Sequence, residues 1–216
     1  MTTETVQLKT EDQIDIVGLF RNDEHERAAI LVHMMPATKE SWDAFAIELD
    51  HAGYASLAID ERGHGESTMD GTLDYKKFTD AEQQAKILDL EAAFAFLLDQ
   101  GFEKDQIIVV GASIGANLAI EFLARHKEVR VAIALSPGLD YHGVLAEPPI
   151  ESLSFDQKVI LVASNDDEYS FDSVERLEED HARQTTLVRK FNLGHGTHMF
   201  ENDPGLMKEL ITMLPR

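Results

Sequence analysis

The chain has 216 residues, 44% hydrophobic and 27% charged, with 13 glycines, 6 prolines and no cysteine. That is enough chain for one domain with a large core, and the missing thiol excludes disulfides, cysteine-ligated metals and a cysteine nucleophile. A net charge of -21 argues against a nucleic-acid partner or an anionic membrane surface.

Met1 to Thr5 has neither the basic patch nor the apolar run of a signal peptide. No apolar stretch approaches the ~20 residues that span a bilayer. A cytoplasmic protein is expected. Val6 to Lys9 and Ile14 to Arg21 alternate apolar and polar residues around a polar turn, the pattern of an antiparallel hairpin at a sheet edge. Ala28 to His33 is a continuous apolar run, the mark of a strand covered on both faces, and it ends in the loop His33-Met34-Met35-Pro36. Ser41 is placed to cap a helix that runs to about His51, with Trp42, Phe45, Ala46 and Leu49 at helical spacing.

Tyr54 to Asp60 is the next buried strand, and it runs into Asp60 to Ser67, a glycine-rich polar loop in which Arg62 and Asp60 are expected to pair. Thr79 to Gln100 reads as one long amphipathic helix closed by Gly101. Ile107 to Val110 is a strand that runs into Gly111-Ala112-Ser113-Ile114-Gly115, and a helix follows to about Lys127. Val129 to Leu135 and Lys158 to Ala163 are further strands. Between them, residues 139–157 are irregular, with room for a short helix or a small flap over the site but not for a lid domain. Ser170 to Ala182 is a charged helix, Thr185 to Phe191 the last strand, and Pro204 to Leu214 a closing helix.

Strands alternate with helices from residue 28 onward. This predicts an α/β fold over 1–216 as a single domain: a mostly parallel sheet, an N-terminal antiparallel hairpin, and helices on both faces. Ligands in such a sheet sit beyond the carboxyl ends of the strands. The loops at His33, Asp60, Ser113, Ser136, Asp167 and His195 share that edge.

G-x-S-x-G between a buried strand and a helix describes a turn too tight for side chains at its corners, with the serine at its apex. A serine hydroxyl needs a base, and the base needs a carboxylate to fix its tautomer. The sequence supplies them in the order Ser113, Asp167, His195. Asp166 is the rival acid and His198 the rival base. Asp167 is preferred because it lies a few residues beyond its strand, and His195 because Gly194 and Gly196 flank it. His25, His51, His126 and His181 lie on charged or helix-end segments and read as solvated. The N–H of Ile114 is one expected oxyanion donor, and Met35, with Met34 as alternative, is the second; Pro36 has no N–H to give. His33 is expected to brace this loop. No H-E-x-x-H string, phosphate loop or dinucleotide fingerprint is present, so neither a metal nor any other cofactor is expected.

Leu31-Val32-His33, Asp60-x-Arg62-Gly63-His64-Gly65-x-Ser67, Gly111-x-Ser113-x-Gly115, Asp166-Asp167 and Gly194-His195-Gly196 together resemble the α/β-hydrolase superfamily over nearly the whole chain. The likeness points to its small carboxylesterase and dienelactone-hydrolase-like branches. It implies a cofactor-free serine hydrolase with Ser113, Asp167 and His195 as triad. Two features depart from the pattern: His-Met-Met-Pro stands where many members have His-Gly, and dienelactone hydrolases use a cysteine nucleophile.

The resulting expectation is a serine esterase for small, short-acyl or aryl esters, acting as monomer or homodimer. Met34, Trp42, Leu139 and Tyr169 are the expected substrate contacts. A thioesterase or lysophospholipase-like hydrolase is the enzymatic alternative. A catalytically silent binding module is the non-enzymatic one.

Overall fold

The edge hairpin follows from one-sided burial. In the computed structural model, which describes residues 2–215, Val6 and Leu8 are buried while their neighbours on the strand are exposed. Strand β1 (Thr2–Lys9) pairs antiparallel with β2 (Asp15–Asn22), and the Thr10 hydroxyl takes the Ile14 N–H across the turn at 2.8 Å. There follow β3 (Arg27–Val32), α1 (Asp43–His51), β4 (Tyr54–Ile59), α2 (Asp80–Gln84), α3 (Ile87–Asp99), β5 (Ile107–Ala112), α4 (Ile114–Arg125) and β6 (Val131–Leu135). Two short strands, β7 (Asp140–Tyr141) and β8 (Val144–Leu145), lead to α5 (Glu147–Glu151), β9 (Lys158–Ser164), α6 (Glu168–His181), β10 (Thr185–Lys190), α7 (His198–Asn202) and α8 (Gly205–Thr212).

Eight strands form one sheet in the order β1-β2-β4-β3-β5-β6-β9-β10. β1 with β2 and β2 with β4 are antiparallel; every later pair is parallel. The parallel strands are buried on both faces, which is why they read as unbroken apolar runs. Successive side chains divide between two cores. Ile30, Val32, Ile107 and Val109 pack with Leu90 and Phe94 of α3, Leu118 and Phe122 of α4, and Val174 of α6. Leu31, Ile108 and Val110 pack on the other face with Phe45 and Leu49 of α1, Phe200 of α7 and Leu210 of α8. Each fully buried Leu, Ile or Phe contributes about 1.5–3 kcal/mol.

The expected helix from Thr79 to Gln100 is two helices. Thr79 caps the first in a capping box with Glu82. At Ala85–Lys86 the ladder tightens: the N–H groups of Lys86, Leu88 and Asp89 bond three residues back, to Gln83, Ala85 and Lys86. The tightened turn carries Lys86 inside, where it is fully buried against Glu61, Nζ to Oε2 3.2 Å. Ser41 does not cap α1; a 3-10 turn, Lys39–Trp42, precedes that helix, and the Ser41 hydroxyl donates to the Thr38 carbonyl. Pro204 stands just before α8, and the short α7 precedes it.

Residues 139–157 hold the β7–β8 hairpin and α5. Asn117, fully buried on α4, pins this segment. Its amide donates to the carbonyls of Gly138 and Val144 at 2.8 and 2.7 Å, and its oxygen accepts the Gly138 N–H at 3.1 Å. No helix among the described residues is long and apolar enough to cross a membrane.

Candidate active site

Ser113 joins β5 to α4 with φ 57° and ψ −124°, a backbone region that non-glycine residues avoid. Close packing holds it there. A Cβ on Gly115 would stand 2.6 Å from the His33 carbonyl oxygen and 2.7 Å from that of Val32. A Cβ on Gly111 would overlap the Gly115 carbonyl. The two glycines therefore let α4 start against the ends of β5 and β3, and the Ser113 N–H is tied to the Leu135 carbonyl at 2.8 Å.

His195 sits in the loop after β10, and four consecutive side chains, from the last residue of β9 onward, hold four consecutive residues of that loop. Asn165 Oδ1 accepts the Asn192 N–H at 3.0 Å. Ser164 Oγ accepts the Leu193 N–H at 2.9 Å. Asp166 accepts the Gly194 N–H at 3.1 Å, and Asp167 Oδ2 lies 2.6 Å from His195 Nδ1. Gly194 and Gly196 have φ of 80° and 57°, the left-handed conformation that glycine adopts freely. The Gly196 N–H donates to Ser136 Oγ at 2.9 Å.

Burial pushes the Asp167 carboxyl up, but hydrogen bonds from His195 and Ser170 outweigh it and hold the group below the usual carboxylate range. An ionised Asp167 accepts from Nδ1–H, which leaves Nε2 of His195 as the free acceptor. Asp166 is exposed; the Ser164 hydroxyl, with the Gly194 N–H in support, holds its carboxyl low. His198 is exposed and lies 3.4 Å from Glu201. Asp167 and His195 are thus brought together, whereas Asp166 and His198 are engaged elsewhere.

The loop after β3 is built on His33. Its Nδ1 donates to the Met34 carbonyl at 2.9 Å, and its Nε2 accepts the Glu61 N–H at 3.1 Å. Burial lowers its pKa, in keeping with a neutral ring. The Ala37 N–H also bonds the Met34 carbonyl, at 2.8 Å, and Met35–Pro36 is cis. Met35 is partly buried, packed against the core. Met34 is buried beneath the Gly196 turn.

Trp42, expected as a substrate contact, is fully buried, with its ring 6.0 Å from Phe45 and 6.1 Å from Phe200. It packs the core because its 3-10 turn presses directly on the sheet. Leu139 is partly buried and Tyr169 is exposed, and Tyr169 holds the hairpin through bonds between its hydroxyl and the backbone of Asp140.

His33, Glu61 and His64 bring ligand atoms within 4.8 Å of one another, the type of set that can take a metal. Both His33 nitrogens are already engaged, and the Lys86 ammonium stands where a cation would neutralise Glu61. The Asp60–Ser67 loop is likewise a buried ionic lock. Arg62 does not pair with Asp60: it bonds Asp89 and Asp12, at 2.9 and 2.6 Å. Asp60 instead accepts from Lys39 Nζ at 2.8 Å and from the Lys39 and Glu66 N–H groups. Gly65 approaches Asp60 so closely that any Cβ would strike the carboxylate.

His126, expected in solvent, packs beside Phe94 and Phe122 and pairs with Glu91 at 2.9 Å. His25 is partly buried and pairs with Asp50 at 2.9 Å. Ser136, Tyr141 and Ser170 also crowd this strand edge, and nothing in the sequence marks them beyond the position of Ser136 at a strand end. Clefts of about 490 and 520 Å³ lie at the opposite end of the strands, and the described residues lining them include neither serine nor histidine.

A search of curated proteins finds no match. Among solved structures, an esterase of Pyrococcus furiosus superposes with a TM-score of 0.78 at 22% identity, covering 99% of this chain and 90% of that one. A dienelactone hydrolase of Anabaena variabilis gives 0.77 at 17%, over 98% and 94%. The Butyrivibrio proteoclasticus protein Est1E, solved with ferulic acid, gives 0.77 at 18%, over 96% and 98%. Residues 23–186 match the model of the family described as serine aminopeptidase, S33, a span that includes Ser113 and Asp167 and stops short of His195. The chain belongs to this family and has the α/β-hydrolase fold.

Proposed function

We propose that the protein is a serine esterase that cleaves small carboxylic esters with short acyl or aryl groups. The observation that carries this reading is the 2.6 Å contact between Asp167 and His195 Nδ1, on the same sheet edge as a serine held at φ 57°. His195 Nε2 takes the Ser113 proton as Oγ attacks the ester carbonyl. The carbonyl oxygen becomes anionic, and the N–H groups of Ile114 and Met35 receive it; each such donor is worth about 3–4 kcal/mol. His195 returns the proton to the leaving alcohol. Water, deprotonated by the same imidazole, then attacks the acyl-enzyme and releases the acid. Asp167 keeps Nδ1 protonated and stabilises the imidazolium.

Met35, Leu139 and Tyr169 are assigned to the mouth of the cleft, beside the β7–β8 hairpin that serves as its flap. The fold likeness to esterases and to a protein that holds ferulic acid supports the ester and aryl preference. The test is labelling by a fluorophosphonate probe, with p-nitrophenyl esters of increasing acyl length. Labelling lost in Ser113→Ala and fastest turnover of short chains are expected. Absence of labelling, or turnover of aminoacyl p-nitroanilides or acyl thioesters in preference to esters, overturns the reading.

A further inference from the structure

Tyr141 stands on the hairpin after β6, and nothing in the mechanism above uses it. Its hydroxyl lies 3.0 Å from Ser170 Oγ and 3.4 Å from the Ser136 carbonyl. The neighbouring carbonyl, that of Leu135, is the one that holds the Ser113 N–H. The phenol therefore sits about one peptide unit from the backbone of Ser113, near enough for the Ser113 hydroxyl to pull its pKa down. The ring is fixed from three directions. It lies against Gly138, where a Cβ would approach it to 2.9 Å. It meets Tyr169 edge-on at 5.6 Å. Its strand is pinned by Asn117 through Gly138 and Val144.

The side of the serine on which it stands is informative. β5 lies between β3 and β6, with β9 and β10 beyond β6. Met35 follows β3. Tyr141 follows β6, on the same side as Asp167 and His195. A donor on the β3 side meets the oxyanion, and a donor on the His195 side meets the group that leaves. Burial and the nearby Asp167 carboxylate push the phenol pKa up, which keeps the proton on the oxygen. Its contact with the Ser136 carbonyl is long for an O–H···O bond; the nearer acceptor is Ser170 Oγ at 3.0 Å, so the proton rests toward Ser170 and turns to the substrate when an ester occupies the site.

We infer that Tyr141 is a hydrogen-bond donor to the leaving oxygen of the ester. This rests on the serine-esterase reading. As the Ser113 Oγ–C bond forms and the C–OR bond breaks, the electron pair passes to the alkoxy oxygen. His195 delivers to it the proton taken from Ser113. Tyr141 donates a hydrogen bond to the same oxygen while charge accumulates there and keeps its own proton. The contribution therefore grows as the leaving group becomes more basic.

The experiment compares Tyr141→Phe with the unaltered protein on ethyl acetate and p-nitrophenyl acetate, reading kcat/KM, which reports acylation. Phenylalanine keeps the ring packing against Gly138 and Tyr169, and fluorophosphonate labelling checks that the nucleophile is intact. A loss of about tenfold on the alkyl ester with less than about twofold on the aryl ester is expected. An equal loss on both, or none on either, with labelling retained, overturns the role of Tyr141 and leaves the esterase reading standing. If the unaltered protein neither labels nor hydrolyses either ester, the esterase reading fails and this inference fails with it.

Discussion

Replacing Gly115 by alanine sets two known effects against each other. Alanine is favoured over glycine inside a helix by about 1 kcal/mol, and by less near the first turn. Against this, the added methyl would stand 2.6 and 2.7 Å from two carbonyl oxygens at the end of β3, roughly 0.8 Å short of ordinary contact. Both obstacles are backbone atoms, one in the last residue of a central strand and one in the residue after it, so no side chain can swing aside. Overpacking of this kind costs about 1–3 kcal/mol. The net expectation is a loss of about 1–2 kcal/mol, seen as a fall of about 2–8 °C in Tm for a domain of this size. The activity should suffer further. Relief of the clash moves α4 away from the His33 loop, and so separates the N–H groups of Ile114 and Met35 that are to share one oxygen. A tenfold or larger fall in kcat/KM for p-nitrophenyl acetate is expected, since complete loss of one donor costs about 10²–10³. Urea unfolding and initial-rate kinetics measure the two effects separately. A variant as stable and as active as the parent would refute the argument that this glycine sets the spacing of the site.

Three further outcomes follow from the geometry. Asp167→Ala should lower kcat by about 10³–10⁴, whereas Asp166→Ala, which frees the Gly194 N–H and the Ser164 hydroxyl, should lower it by about tenfold or less; equal losses in steady-state assays would contradict the division of labour between the two carboxylates. Lys86→Met strands the buried Glu61 carboxylate and should cost about 3–5 kcal/mol in urea unfolding, with part recovered in Lys86→Met/Glu61→Gln; a cost below about 1 kcal/mol would show that Glu61 is not held as an ion. Burial depresses the His64 pKa from 6.5 to about 4. Above pH 6.5 the ring is neutral folded or unfolded. Between pH 6.5 and 4 only the unfolded chain takes up the proton, so stability falls as pH falls, by up to about 3 kcal/mol. His64→Gln should flatten this acid slope, and parallel curves for the two proteins would refute it.

The parallel sheet and the edge that gathers its loops were legible in the sequence. A strand covered on both faces has nowhere to put polar residues, and Ala28 to Val32 and Ile107 to Val110 obey that rule without exception. The tight turn at Ser113 was legible for a similar local reason, since only glycine fits at positions 111 and 115. What could not be read depends on partners far along the chain. Lys86 looks like a solvated residue on an amphipathic helix, and its burial is decided by Glu61, 25 positions away. Arg62 has Asp60 as a near neighbour in sequence but finds Asp89 and Asp12 in space. Trp42 fits a pocket as well as a core until the fold sets its turn against the sheet. Tyr141 lies in a segment with no periodicity, where a two-residue hairpin leaves no pattern to detect.

Asn117 stands four residues after Ser113, so the helix that begins just after that serine also carries the clamp on the hairpin. Three buried hydrogen bonds cross between them. For the hairpin to swing outward, all three must break together in a place where no water replaces them, which is costly for buried amide and carbonyl groups. The hairpin and the Ser113 turn are thus tied to the same helix and move together. On the proposed esterase reading, substrates are sorted by whether they fit an opening whose width is set before they arrive, and a change in the hairpin that alters selectivity will be felt at the serine as well.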